Sequence, residues 1–321
     1  ARFVSDLSDQ TCQPDELIIT NGAIHAVDLV CRRLSTPGDM IAVEEPTFYY
    51  MKRVFNANHL RTVSVPMGDD GIDLIALEQS LQQHAGQIKL LYTIPTFHNP
   101  TGHCMSADAR QRLVELAQRY QFIIIEDATY QSLYFDAPPP PLCKDYDDTH
   151  QHVITVGSFS KILMPALRLG WLWTTNDAVD QIAQIKSDAA TSALTSSIAS
   201  KFIAQGKMTA QVERARAYYR HRRDVFVTAL AEHLPDNFRW QSPAGGFFVW
   251  VELPDDIHAS DILRLAQTQD VDFGLGTMCF LEDAPDHTMR LCFTLLDDVH
   301  LREGVQRLAQ AIHSLQGQSV S

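Results

Sequence analysis

The sequence predicts an α/β fold with a mostly parallel central sheet, helices on both faces and a smaller α+β lobe at the C-terminal end. Three observations predict it. Short β-rich runs alternate with helical patterns over the first two thirds of the chain, several of those runs are apolar throughout, and the pattern changes after one long helical segment. Strand–helix alternation favours parallel pairing through crossover helices, and a strand buried on both faces is an unbroken apolar run.

The first strand is predicted at 17–20, where Leu17-Ile18-Ile19-Thr20 is β-branched and apolar. Ile24, Val27, Val30, Cys31 and Leu34 recur at helical spacing after it. Further strands are predicted at 40–43, 62–65, 89–93, 122–125 and 152–156. The four prolines from Pro138 to Pro141 read as a rigid surface loop. A helix from about 208 to 234, rich in Arg and Ala, is long enough to bridge two lobes. Beyond it, strands are predicted at 245–251 and 289–293 and helices at 262–267 and 301–315. The chain therefore divides into a large domain over 1–207 and, over 208–321, the bridging helix with a small domain. No internal repeat is found.

Composition narrows the function classes. The 321 residues carry 26 Lys+Arg against 39 Asp+Glu, a formal net charge of −13, with 45% hydrophobic and 20% charged residues. That is a chain able to bury a substantial core, and its acidity argues against a nucleic-acid footprint. The six cysteines are scattered without a CxxC pair, so they outline neither a zinc site nor a disulfide framework. No metal is expected, and a reducing cytoplasm is the expected setting. No apolar run approaches the ~20 residues that span a bilayer, and the first residues lack a signal peptide's layout.

The chemistry concentrates in four segments. Gly157-Ser158-Phe159-Ser160-Lys161, followed by Pro165 and Arg168-Leu169-Gly170-Trp171, sets an amine at the end of a buried strand beside two hydroxyls and a guanidinium. Such an amine can form a Schiff base with an aldehyde, and its neighbours can donate to a phosphate. A surface lysine and arginine after a strand is the plain alternative. Thr20-Asn21-Gly22-Ala23-Ile24 marks a strand-to-helix turn, where backbone N–H groups can face an anion. Ile125-Glu126-Asp127-Ala128-Thr129-Tyr130 ends an apolar strand on a carboxylate, at the edge where open α/β sheets collect ligands. His98-Asn99-Pro100-Thr101-Gly102 follows the strand that ends near Ile94.

Together and in this order, these segments resemble the fold type I pyridoxal-phosphate enzymes of the aminotransferase class I/II family, over essentially the whole chain. The resemblance implies pyridoxal 5′-phosphate as cofactor and Lys161 as the lysine that carries it and then shuttles the substrate's Cα proton. It implies Asp127 as partner of the pyridine nitrogen and Asn99 with Tyr130 as partners of the cofactor's 3′-oxygen. Phe48, in Glu45-Pro46-Thr47-Phe48, takes the place of the ring stacked on the pyridine face. Gly22, Ala23 and Ile24 match the phosphate turn, where Ile24 offers only its backbone N–H, so the phosphate leans on Ser158, Ser160 and Arg168. Arg290 resembles the arginine that grips the substrate carboxylate, and Asn99 is the second substrate-binding residue the resemblance implies.

Phe97 and His98 are candidates for the substrate pocket. Gly245-Gly246-Phe247 reads either as a strand at the substrate mouth or as tight packing. The Arg/Tyr cluster from Arg214 to Arg223 reads as the solvated side of the bridging helix. His25, His98 and His103 lack metal-ligand spacing.

The resemblance further implies a homodimer, amino-acid and 2-oxo-acid substrates, and several dozen more residues before the strand at Leu17. It extends to the aminotransferase-like domain of GntR/MocR-type regulators, which use the same cage as an effector sensor behind a DNA reader. A third reading keeps the cofactor and changes the reaction to that of a lyase, by β-elimination or decarboxylation. Arg290 favours transamination, because gripping the carboxylate leaves the Cα–H bond free to align.

Overall fold

The apolar runs become the middle of one large sheet. A computed structural model describes residues 1–188, 190–282 and 284–318. In chain order the elements are α1 (Arg2–Ser5), β1 (Leu17–Thr20), α2 (Ala23–Leu34), β2 (Met40–Glu45), α3 (Met51–Ala57), β3 (Arg61–Gly68), β4 (Gly71–Ile72), α4 (Leu74–Gln83), β5 (Ile88–Thr93), α5 (Ala107–Tyr120), β6 (Ile123–Asp127), β7 (Val153–Ser158), β8 (Gly170–Trp173), α6 (Asn176–Ile185) and α7 (Ala193–Ala204). There follow α8 (Lys207–His233), β9 (Arg239–Trp240), β10 (Phe248–Glu252), α9 (Ala259–Gln267), β11 (Gly274–Leu275), β12 (Thr288–Cys292) and α10 (Asp298–Gln318).

The first sheet has eight strands in the order β1-β8-β7-β6-β5-β2-β3-β4. The pairs β7–β6, β6–β5, β5–β2 and β2–β3 are parallel, as the alternation predicts. β8 runs antiparallel to both β1 and β7. This strand is absent from the predicted set because it begins inside the Arg168-x-Gly170 motif, which the sequence marks as a binding segment. Its glycine has a steric reason: a Cβ on Gly170 would lie 2.5 Å from the backbone of Gly22. Gly157 opposite makes room for the Trp171 ring, which a Cβ there would meet at 2.3 Å. Those two glycines let β8 press the Gly22 turn against the end of β7.

The second sheet, β11-β12-β10-β9, is antiparallel throughout. α8 joins the two cores: Met208 and Val212 pack in the first, whereas Val225, Phe226, Ala229 and Leu230 pack in the second. Burial of that many apolar side chains is the main stabilising term, about 1.5–3 kcal/mol for each large one.

Two expectations need correction here. Arg222 and Arg223 of α8 are buried and not on a solvated side. Arg223 donates to Asp136 at 3.0 and 3.2 Å and to the Pro243 carbonyl at 2.7 Å, while Arg222 donates to the Tyr218 hydroxyl and the Leu296 carbonyl. A guanidinium on a long apolar stem can lie in an interface and still satisfy its donors. The strand predicted from 245 starts at Phe248, because a Cβ on Gly245 would meet the Phe97 ring at 2.4 Å, so the glycine pair is a packing device.

Candidate active site

Five strand ends point at one cavity of about 300 Å³. Each contributes residues at or beyond its last pairing: Gly22 to Ile24 after β1, Phe48 after β2, Asn99 after β5, Asp127 and Tyr130 at β6, and Ser158, Ser160 and Lys161 at β7. Arg168, just before β8, and Arg290 on β12 complete the set. The structure thus brings all twelve predicted site residues to a single lining.

One corner suits an anion. Gly22, at φ +91°, turns the chain from β1 into α2, and a Cβ there would sit 3.0 Å from Arg168 Nη2. That close approach requires glycine. Arg168 itself has φ +50°, ending the short helical turn Pro165–Leu167, and its guanidinium has no partner among the described residues. Ser158 Oγ accepts from the Ser160 N–H at 3.1 Å and donates to the Leu169 carbonyl at 3.3 Å. Ser160 Oγ is buried with no partner among the described residues. With the free N–H groups at the start of α2, this corner holds a cluster of donors and no carboxylate.

Across the cavity Asp127 is buried, its Oδ2 accepting from the Tyr92 hydroxyl and its Oδ1 from the Thr129 N–H, each at 3.0 Å. Burial pushes its carboxyl above the usual range, and the bonds from Thr129 and Tyr92 oppose that rise. Burial and the Asp127 charge together hold the Tyr130 phenol well above its ordinary value. Between the two corners stands Lys161. Burial pushes its ammonium below the ordinary lysine range, Arg168 and Arg290 act in the same direction, and Cys292 and Asp127 oppose them. A larger share of free amine follows.

The last wall comes from the second sheet. Arg290 Nη1 donates to Asn99 Oδ1 at 3.3 Å, and the guanidinium lies 4.7 Å from the Phe248 ring centre and 5.4 Å from that of Tyr49. Tyr49, Tyr50, Ile94, Thr129 and Phe248 line the cavity and lie outside the predicted set. Tyr49 and Tyr50 directly follow Phe48, an adjacency that could have found them. Phe248 carries no such signal.

Phe97 and His98, predicted for the substrate pocket, do not line the cavity. Phe97 is buried under the Gly245-Gly246 turn. His98 points into the protein, with Nε2 3.0 Å from Glu44 Oε1 and Nδ1 2.8 Å from Thr101 Oγ1. Glu44 also accepts from the Thr93 hydroxyl at 2.8 Å and the Ile94 N–H at 2.6 Å, so the histidine braces the loop that carries Asn99.

A family model described as aminotransferase class I and II matches residues 1–308. The chain belongs to this family. It is 36% identical over 317 residues to aromatic-amino-acid aminotransferase 1 of Thermococcus litoralis, covering 97% of this chain and 76% of that protein. The α-aminoadipate aminotransferase of Thermus thermophilus, solved with N-(5′-phosphopyridoxyl)-L-leucine, superposes with a TM-score of 0.89 at 32% identity, covering 95% of this chain and 79% of the other. An uncharacterized HTH-type transcriptional regulator of Bacillus subtilis is 31% identical over 306 residues, covering 94% of this chain and 62% of the regulator. Other members of the family thus place a sequence of this kind both in enzymes and in regulators.

Proposed function

We propose that this chain is a pyridoxal-phosphate-dependent aminotransferase that moves the amino group of an L-amino acid to a 2-oxo acid by a ping-pong mechanism. The observation that carries the proposal is one cavity in which a cluster of unpartnered donors, a lysine amine and a buried carboxylate stand in sequence. That arrangement fits the cofactor: the orphaned Ser160 hydroxyl and the Gly22–Arg168 cradle suit its phosphate, Lys161 its aldehyde and Asp127 its ring nitrogen. When bound, the cofactor supplies an electron sink for the pair left when the substrate's Cα–H bond breaks.

The chain's residues do the rest. Lys161, with its lowered proton affinity, is the base that would take the substrate's Cα proton and give it back on the cofactor side, after which water would release the 2-oxo acid and leave the amino group with the cofactor. Asp127 would keep the ring nitrogen protonated, Asn99 and Tyr130 would hold the 3′-oxygen, and Phe48 would cover the ring. Arg290 grips the substrate carboxylate as a fork, trading its contact with Asn99 for a charged partner. Phe48, Tyr49, Tyr50 and Phe248 make the wall around it aromatic, which favours aromatic donors.

The proposal includes the division into 1–207 and 208–321 and a cytoplasmic homodimer. Leu194 and Ile198 on α7, with Met164 and Ile19, leave apolar side chains exposed, which supports a subunit contact. No helix among the described residues is long and apolar enough to cross a membrane.

The test is a visible absorbance spectrum with pyridoxal phosphate, followed through a panel of amino acids and then 2-oxoglutarate. An absorbance that shifts with one donor and returns with the oxo acid supports the reading. A shift that never returns, with no oxo acid formed, overturns it in favour of an effector-sensing domain; release of ammonia or carbon dioxide indicates a lyase.

A further inference from the structure

We infer that Tyr92 is a positioning residue of this site: its buried hydroxyl fixes the Asp127 carboxylate so that its remaining lone pairs face a cationic ring nitrogen. The inference rests on the reading of the cavity as a pyridoxal-phosphate site. Tyr92 lies on β5 and Asp127 closes the neighbouring strand β6, with Tyr92 paired to Ile125. That register puts the two side chains on one face of the sheet, with the Tyr92 hydroxyl 3.0 Å from Asp127 Oδ2, and Tyr92 is not among the lining residues.

Both residues are buried, at 0% and 5% exposure, so the hydrogen bond between them is shielded from solvent. Among the described residues Asp127 has two kinds of support. Thr129 belongs to its own turn and moves with it, whereas Tyr92 is anchored in the adjacent strand, its ring packed 5.9 Å from that of Phe55. Of these two, the tyrosine is the one that ties the carboxylate to the sheet.

The direction of the effect follows from the charges around the carboxylate. Glu44 from β2 and Tyr130 from the turn after β6 face it, and Lys161 lies across the cavity. Burial and Glu44 favour the protonated carboxyl, and a protonated carboxyl cannot hold a pyridinium. The Tyr92 hydroxyl donates to the ionised form and opposes them. A phenol is suited to this place because burial and the neighbouring carboxylate keep it neutral, so that it remains a donor across the working pH range.

The test compares wild type with Tyr92→Phe, which keeps the ring and removes only the donor. The readout is the dissociation constant of pyridoxal phosphate, measured by fluorescence quenching between pH 5.5 and 8.5, and again with 1-deazapyridoxal phosphate, which has C–H in place of the ring nitrogen. For the native cofactor we expect affinity to fall about tenfold, with the acidic limb of the affinity profile moving to higher pH. For the deaza analogue the loss should stay below about twofold, since no ring nitrogen meets the carboxylate.

An equal loss for both cofactors indicates general damage and overturns the inference, as does an unchanged profile for the native cofactor. Should Tyr92→Phe not fold, Tyr92→Met fills the space without a donor and gives the same comparison. Failure of the wild-type chain to bind pyridoxal phosphate at all would instead overturn the reading of the cavity itself.

Discussion

The two walls of the cavity differ in how far their polar groups are committed. On the first-sheet side, Ser160 Oγ and the Arg168 guanidinium have no partner among the described residues, although the serine is buried. On the second-sheet side, Arg290 already bonds Asn99 and stacks between Tyr49 and Phe248. A buried donor without a partner is destabilising, by about 1–3 kcal/mol, unless a ligand satisfies it. An engaged arginine is at rest and must exchange one partner for another. On the proposed reading, the first wall is built to receive a resident anion and the second a visitor that comes and goes.

The largest test of that contrast is Lys161→Ala, which removes the amine between the walls. Turnover should fall by about ten-thousand-fold or more, measured as oxo-acid formation, while the melting temperature of the cofactor-free chain stays within a few degrees. Turnover that survives with the fold intact would remove the lysine from the mechanism.

Arg290→Lys sharpens the visitor's side. It keeps the charge and loses the fork, and kcat/KM should drop about 30- to 100-fold, with the affinity for pyridoxal phosphate unchanged. An equal loss of cofactor affinity would erase the distinction between the walls.

Ser160→Ala addresses the resident's side. Pyridoxal phosphate should bind about three- to tenfold more weakly, yet the cofactor-free chain should melt no lower, because the hydroxyl bonds nothing among the described residues. A fall in its melting temperature would show that the hydroxyl has a protein partner after all.

The smallest effect is in stability against pH. Asp127 has a raised carboxyl pKa in the folded chain, so the folded state binds more protons than the unfolded state between the ordinary carboxylate value and the raised one. Stability therefore falls as pH rises through that interval, and the full penalty is present above it. Asp127→Asn should raise the melting temperature of the cofactor-free chain by about 2–4 °C at pH 8, with the gain vanishing near pH 4. A gain that is constant with pH would mean that the charge is not its source.

Much of this site is legible in the sequence because its residues are local to strand ends. A strand's last residue and the turn after it are neighbours in the chain and at the sheet's edge alike, so Gly22, Asn99, Asp127 and Lys161 can be picked out one segment at a time. Phe97 and His98 fail by the same logic. They share a turn with Asn99, but successive side chains in a turn diverge, and these two are directed into the packing against Gly245 and toward Glu44. The bridging helix hides its contacts too, because a charged residue at a helical position does not reveal whether a carbonyl from another element will meet it. Arg223 meets the Pro243 carbonyl and both carboxylate oxygens of Asp136.

By itself, then, the sequence determined the alternating elements, the parallel core of the first sheet and the residue types that gather at its strand ends. Periodicity and apolar runs are local, and the crossover geometry that follows from them has few solutions. Only the tertiary structure decided that β8 runs antiparallel between β1 and β7, that Tyr92 donates to Asp127, and that Arg290 from a separate sheet faces Asn99, 191 positions earlier in the chain. Those are pairings between distant segments, set by packing across two cores, and no window of sequence contains both partners.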